Sequence, residues 1–172
     1  MAIRWTAFPL HPETQDEGRS LEDLFAGRGL DIPKMVAHLK QTADRLGLPF
    51  TARTMTYNSR RAQELGKWAE IMGQGEAFHR AVFEAYFAQG RNIAQADVLM
   101  DLATAVGLDP VAAQAVLKED RYKSAVDEDW QRCYEMGIRA VPTFFMNGRL
   151  LVGAQPYDAI KSLVTSGGPF GG

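Results

Sequence analysis

The run AVPTFFMNGRLLVGAQP, residues 140–156, limits the choice of fold more than any other stretch of this chain. Thr143, Phe144, Phe145 and Met146 are strand-favouring residues. Asn147-Gly148 supplies the two positive φ values of a type I′ turn, and Leu150, Leu151 and Val152 return. Pro156 then opens a helix with Ile160, Leu163 and Val164 facing inward. A lone hairpin is only marginally stable in water, so this one needs a larger sheet. The remaining β-type stretch is AIRWTAFPL, residues 2–10, with Ile3, Trp5, Phe8 and Leu10, closed by Pro9 and Pro12. The two ends of the chain are therefore expected to meet in one sheet.

Between them the periodicity is helical. The polar run HPETQDEGRS reads as a loop that leads to a short helical piece near Leu21–Phe25. Met35, Leu39, Ala43 and Leu46 mark a helix over 33–46, with Pro33 in its first turn and Gly47 beyond its end. LPFTARTMTYN reads as extended or irregular. Five helical patterns follow, over 59–72, 76–89, 94–106, 110–118 and 120–136, with Asn58 as a cap for the first. Asp109-Pro110 opens the fourth as N-cap and N1. These expectations divide the chain into an N-terminal part over 1–57, a helical insertion over 58–136, the hairpin and last helix over 137–166, and a flexible tail over 167–172.

Composition removes several function classes. With 172 residues the chain can bury a core without disulfides or a structural metal. Its net charge of −2, with no basic run, points away from nucleic acid. No window approaches the apolar length of a membrane-spanning helix. His11, His38 and His79 lack ligand spacing, so no metal site is expected. The single cysteine, Cys133, excludes an intrachain disulfide and fits a reducing, cytoplasmic setting.

Few residues are candidates for chemistry. Pro142 either ends a loop or borders a site, since an X-Pro bond can be cis at a cost of about 0.5–1 kcal/mol. Cys133 shares a helical face with Trp130 and Val126 and reads as a small buried hydrophobe. Gln155 and Asp158, around the start of the last helix, either cap it or hold an anion such as a glutathione carboxylate. Trp68, Phe78, Tyr86 and Trp130 read as core. Arg60 and Arg61 read as a solvated helix start.

The order of these pieces resembles the DsbA-like branch of the thioredoxin superfamily, and more closely the FrnE-type oxidoreductases and 2-hydroxychromene-2-carboxylate isomerases. IRWTAFPLHPE is similar to the family's second strand and following loop. NSRRAQELGKWA, GEAFHRAVFEAYFAQGRNI and VLMDLATAVGLDP resemble its helical insertion, and GIRAVPTFFMNGRLLVGAQP its cis-proline hairpin. The resemblance implies an α/β thioredoxin-like fold with a large helical insertion. It also implies that a first strand, a Cys-x-x-Cys turn and a first helix precede the segment beginning at Ala2, so all three are absent here. The strand that is absent is central in the family. Its gap is expected to be filled by a second chain in a homodimer, to close by direct pairing of the flanking strands, or to reflect a longer gene product.

By the same resemblance, a cis bond at Pro142 leaves the main chain of Val141 free to pair with an extended peptide or thiol substrate, with Thr143 beside it. The activity implied for the family is thiol–disulfide exchange. With no Cys-x-x-Cys, this chain is expected to be inactive in two-thiol chemistry and to have no catalytic residue of its own. The alternatives are a glutathione-dependent isomerase or transferase relative, and a non-catalytic peptide-binding or dimerisation module.

Overall fold

A computed structural model of the chain describes residues 3–165. The expected tail over 167–172 lies outside the described residues. The chain divides into two units: Pro9–Glu128, and Met1–Phe8 together with Asp129–Gly172. Helix dominates the larger unit. Among the described residues, no helix is long and apolar enough to cross a membrane.

The larger unit begins with a two-residue strand β1 (Arg19–Ser20), which runs directly into α1 (Leu21–Leu24). Ser20 caps α1 by accepting the Asp23 N–H. Helix α2 (Ile32–Arg45) is capped by Asp31 and carries Pro33 in its first turn. Strand β2 (Met55–Thr56) pairs antiparallel with β1. β-structure was expected only at the chain ends, so this ladder is a correction. Its register brings Arg19 opposite Thr56, and the positive φ of Gly18 (93°) allows the close approach. A Cβ there would lie 2.7 Å from the Thr56 carbonyl oxygen.

The helical block follows as α3 (Arg60–Ile71), α4 (Gly75–Phe83), α5 (Ala96–Ala105), α6 (Pro110–Lys118) and α7 (Lys123–Glu135). Leu65, Phe78, Leu99, Ala113 and Val116 form its dry centre, with Trp68 and Ala69 beside them. Asn58, expected as the cap of α3, accepts the Arg60 N–H and donates to the carbonyls of Pro12 and Thr14. It thereby straps the 11–14 turn to the start of the helix. The helix expected over 76–89 changes pitch after Phe83, and Glu84–Ala88 is a π-helix. The wider turn brings the Tyr86 hydroxyl to Thr56 Oγ1 (3.0 Å) and to the Arg53 guanidinium (2.7 Å), whose charge also lies over the Tyr86 ring. Helix α7 starts three residues later than expected because Asp120 adopts φ 50°, a left-handed conformation that an α-helix does not accommodate.

The smaller unit holds the end of α7, strands β3 (Thr143–Met146) and β4 (Arg149–Val152), and α8 (Tyr157–Thr165). Asn147 and Gly148 have φ values of 50° and 76°, and Met146 faces Arg149 across the two-residue turn. Helix α8 packs on this hairpin and buries Leu163.

The strand expected over residues 2–10 does not form: the described residues of that stretch carry no ladder and no helix. The hairpin remains a two-stranded sheet. The reason lies in contacts with α7. Ala7 spends its main-chain N–H on Asp129 Oδ2 at 2.8 Å, and its carbonyl accepts from the Cys133 thiol at 3.5 Å. Two side chains of α7 thus hold groups that a neighbouring strand would otherwise take.

Candidate functional site

The chain enters β3 through Val141-Pro142, a peptide bond that is cis. Two hydrogen bonds set the geometry around it. The Thr143 hydroxyl donates to the Ala140 carbonyl at 2.6 Å, and the Gly153 N–H donates to the Pro142 carbonyl at 2.7 Å. The second bond extends the hairpin by one pair and ties the proline to the far end of β4. Val141 sits between these two fixed carbonyls. It is 43% exposed, and among the described residues its own N–H and C=O have no hydrogen-bond partner. Val141, Pro142 and Thr143 therefore form one positioned, accessible stretch of main chain.

The ladder parity shows what else is open. Pro142 and Gly153 are a bonded pair, so Phe144–Leu151 and Met146–Arg149 are bonded pairs as well. Thr143 and Phe145 then point their N–H and C=O groups away from β4. Among the described residues no strand lies on that side of β3. One face of the hairpin, with Phe144 and Leu151, is half-buried. The opposite face exposes Phe145, Leu150 and Val152. Sequence reasoning did not single out Phe145 or this face. The signal was the pair Phe144-Phe145: adjacent large hydrophobics in a strand put apolar surface on both sides, and both sides then require cover.

The other candidates have structural employment. Gln155 donates its amide to the Val152 carbonyl at 2.8 Å, closing the loop between β4 and α8. Asp158 stands exposed in the first turn of α8. A carboxylate there answers the positive helix end itself. Cys133 is buried, at 4% exposure, with its thiol turned to Ala7. No group of three or more histidine, cysteine or acidic side chains among the described residues could hold a metal ion.

Arg60 departs from the solvated helix start that its position implied. Its Nε donates to Glu64 at 2.6 Å, one terminal nitrogen to Asp127 at 2.7 Å and the other to the Lys123 carbonyl at 2.8 Å. Burial works against its charge, but the hydrogen bonds and charges of Asp127 and Glu64 outweigh it and raise its pKa above the usual value. Arg60 is a staple between α3 and α7 rather than the border of a cleft.

Known proteins share this architecture. A probable DsbA oxidoreductase from Streptomyces coelicolor superposes with a TM-score of 0.82 at 25% identity, over 90% of this chain and 70% of that one. A 2-hydroxychromene-2-carboxylate isomerase superposes with a TM-score of 0.67 at 21% identity, over 78% of this chain and 64% of that one, a likeness of fold. The ClpXP adapter protein SpxH of Shouchella clausii is 40% identical over 80 residues, which is 45% of this chain and 27% of the adapter. The chain spans half or less of the length of the curated relatives it matches. The family model for the DSBA-like thioredoxin domain matches residues 1–165. On that match, together with the cis-proline hairpin packed on α8, the chain belongs to the DSBA-like thioredoxin domain family and has its thioredoxin-like fold.

Proposed function

We propose that this chain binds an extended peptide through the main chain of Val141 and performs no two-thiol chemistry with its own cysteine. The carrying observation is that Val141 is exposed and that its N–H and C=O have no partner among the described residues, while the carbonyls on either side of it are already bonded. A peptide laid antiparallel there would gain two main-chain hydrogen bonds, the recognition mode of strand addition. Pro142 and Thr143 would flank it. The single thiol, Cys133, is buried and donates to a carbonyl, which is the environment of an inert structural cysteine and suits a reducing cytoplasm. The adapter name carried by one relative, matched over 27% of its length, supports a binding role.

The test has two parts. A fluorescein-labelled extended peptide is titrated with the chain and followed by anisotropy. Binding that is lost when the peptide backbone is N-methylated at alternate residues supports main-chain pairing. Equal affinity for the methylated peptide overturns it. In an insulin-reduction assay the chain is expected to be silent; turnover that survives Cys133→Ser would refute the second half. Isothermal titration with glutathione separates this reading from the isomerase-like one, which requires a measurable heat of binding.

A further inference from the structure

We infer that Arg53 and the phenylalanines beside it form a second peptide site, which takes an acidic residue flanked by apolar ones through its carboxylate. The site lies wholly within the unit Pro9–Glu128 and does not rest on the peptide reading at Val141.

Arg53 is held at its tip and on its face. Nη1 donates to the Met55 carbonyl at 3.0 Å and to the Tyr86 hydroxyl at 2.7 Å. The guanidinium lies over the Tyr86 ring at 4.7 Å and over the Phe87 ring at 5.5 Å. The π-helical turn that carries both rings is bonded to the same segment, since the Phe87 carbonyl accepts the Thr51 N–H at 2.8 Å. A guanidinium fixed in this way has given up most of its side-chain freedom before a ligand arrives.

What remains is the edge formed by Nε and Nη2. Among the described residues neither atom has a hydrogen-bond partner and no carboxylate pairs with the charge. Glu84, in the same turn, is exposed and forms no ion pair. By contrast Arg60, Arg91 and Arg121 each pair with a carboxylate of the chain. Thr14 Oγ1 is the one side-chain polar atom among the described residues that is buried without a partner, so Nε and Nη2 of the half-buried Arg53 reach solvent. Two parallel N–H donors on one edge match the two oxygens of a carboxylate.

The surroundings select what carries that carboxylate. Phe87 stacks with Phe50 and with Phe83, at centroid distances of 6.4 and 6.2 Å, and Phe83 is 47% exposed. The open edge of the cation therefore adjoins a row of aromatic rings that reaches the surface. A segment of chain can follow such a row, laying its apolar side chains on the rings while its acid meets Arg53. A free inorganic anion would gain nothing from the rings.

The probe is a short fluorescein-labelled peptide with one glutamate between phenylalanines, titrated with the full chain and followed by anisotropy. Replacing the glutamate by glutamine is expected to weaken binding by roughly tenfold or more, the loss of a charge-assisted pair. Arg53→Lys keeps the charge and loses the fork, and is expected to reduce that discrimination to about twofold. Absence of binding, equal affinity for the two peptides, or discrimination undiminished in Arg53→Lys overturns the inference. Arg53 also supports Tyr86, so a second measurement uses the unsubstituted protein. In heteronuclear NMR the Arg53 Nε–H resonance is expected to shift on saturation with the glutamate peptide and to stay in place with the glutamine peptide. A resonance that ignores the glutamate peptide overturns the inference. A peptide held at Val141 alone would bind both probes equally and leave that resonance in place, so failure of one reading is distinct from failure of the other.

Discussion

Asp129, 2% exposed, accepts the main-chain N–H of Ala7 at 2.8 Å, and one helical turn further along α7 the Cys133 thiol donates to the Ala7 carbonyl. A segment with strand composition is thereby held by side chains rather than by a ladder. Asp129→Ala leaves the half-buried Ala7 N–H without its acceptor. It should cost about 1–3 kcal/mol in urea denaturation, whereas Asp129→Asn, which keeps an oxygen in place, should cost less. Equal costs for the two variants would show that the Ala7 bond does not hold the segment.

Gly66 lies inside α3, where alanine ordinarily stabilises a helix. A Cβ at this position would lie 2.8 Å from His79 Cε1, and the imidazole is itself held by Glu70 at 3.1 Å. Gly66→Ala is expected to lower the thermal midpoint. In a His79→Ala background the same change should stabilise by about 1 kcal/mol. A double-mutant cycle by calorimetry checks the reversal of sign.

Arg60 satisfies a carboxylate, Glu64, whose residue is only 5% exposed, together with the more open Asp127. Arg60→Ala strands the buried partner and should cost about 3–5 kcal/mol. Asp127→Ala, at the exposed end of the network, should cost at most about 1 kcal/mol. Because its folded-state pKa is raised, Arg60 contributes stability that is complete below its unfolded value and is lost only as pH rises beyond it. Chemical denaturation at neutral pH is the measurement, and similar costs for the two variants would contradict the assignment.

Thr143→Val keeps the shape of the side chain at the head of β3 and removes its 2.6 Å hydrogen bond to the Ala140 carbonyl. With that carbonyl released, Val141 is less firmly positioned. Peptide affinity should fall by roughly fivefold to tenfold, a loss of about 1–1.4 kcal/mol, with little change in the denaturation midpoint. An unchanged affinity would show that Thr143 does not position the site.

The hairpin was legible because Asn147-Gly148 leaves the backbone little choice of turn. The helices over 60–71, 96–105 and 110–118 were legible for a similar reason: their apolar residues recur at helical spacing, with Asn58 or Asp109-Pro110 before them or Gly73 or Gly107 after. What failed depended on partners distant in sequence. The β1–β2 ladder joins residues 19–20 to 55–56, and neither stretch is long enough to carry a period. The π-helical turn at Glu84–Ala88 follows from what Tyr86 reaches, namely Arg53 and Thr56, and no local pattern encodes it.

The candidate site divides along the same line. Pro142 was a candidate from the local sequence, and Val141 and Thr143 beside it from the resemblance to the family. That the carbonyls on either side of Val141 are bonded while its own groups are open is a tertiary fact, set by Thr143 and by Gly153 on the opposite strand. The segment from Ile3 to Phe8 marks the limit most clearly. Its composition calls for a strand, but a strand exists only where a neighbour offers unpaired groups. Here Asp129 and Cys133, more than 120 residues away, take the Ala7 groups first. Periodicity and turn chemistry thus determined the elements, and competition for main-chain hydrogen bonds in three dimensions decided which of them pair.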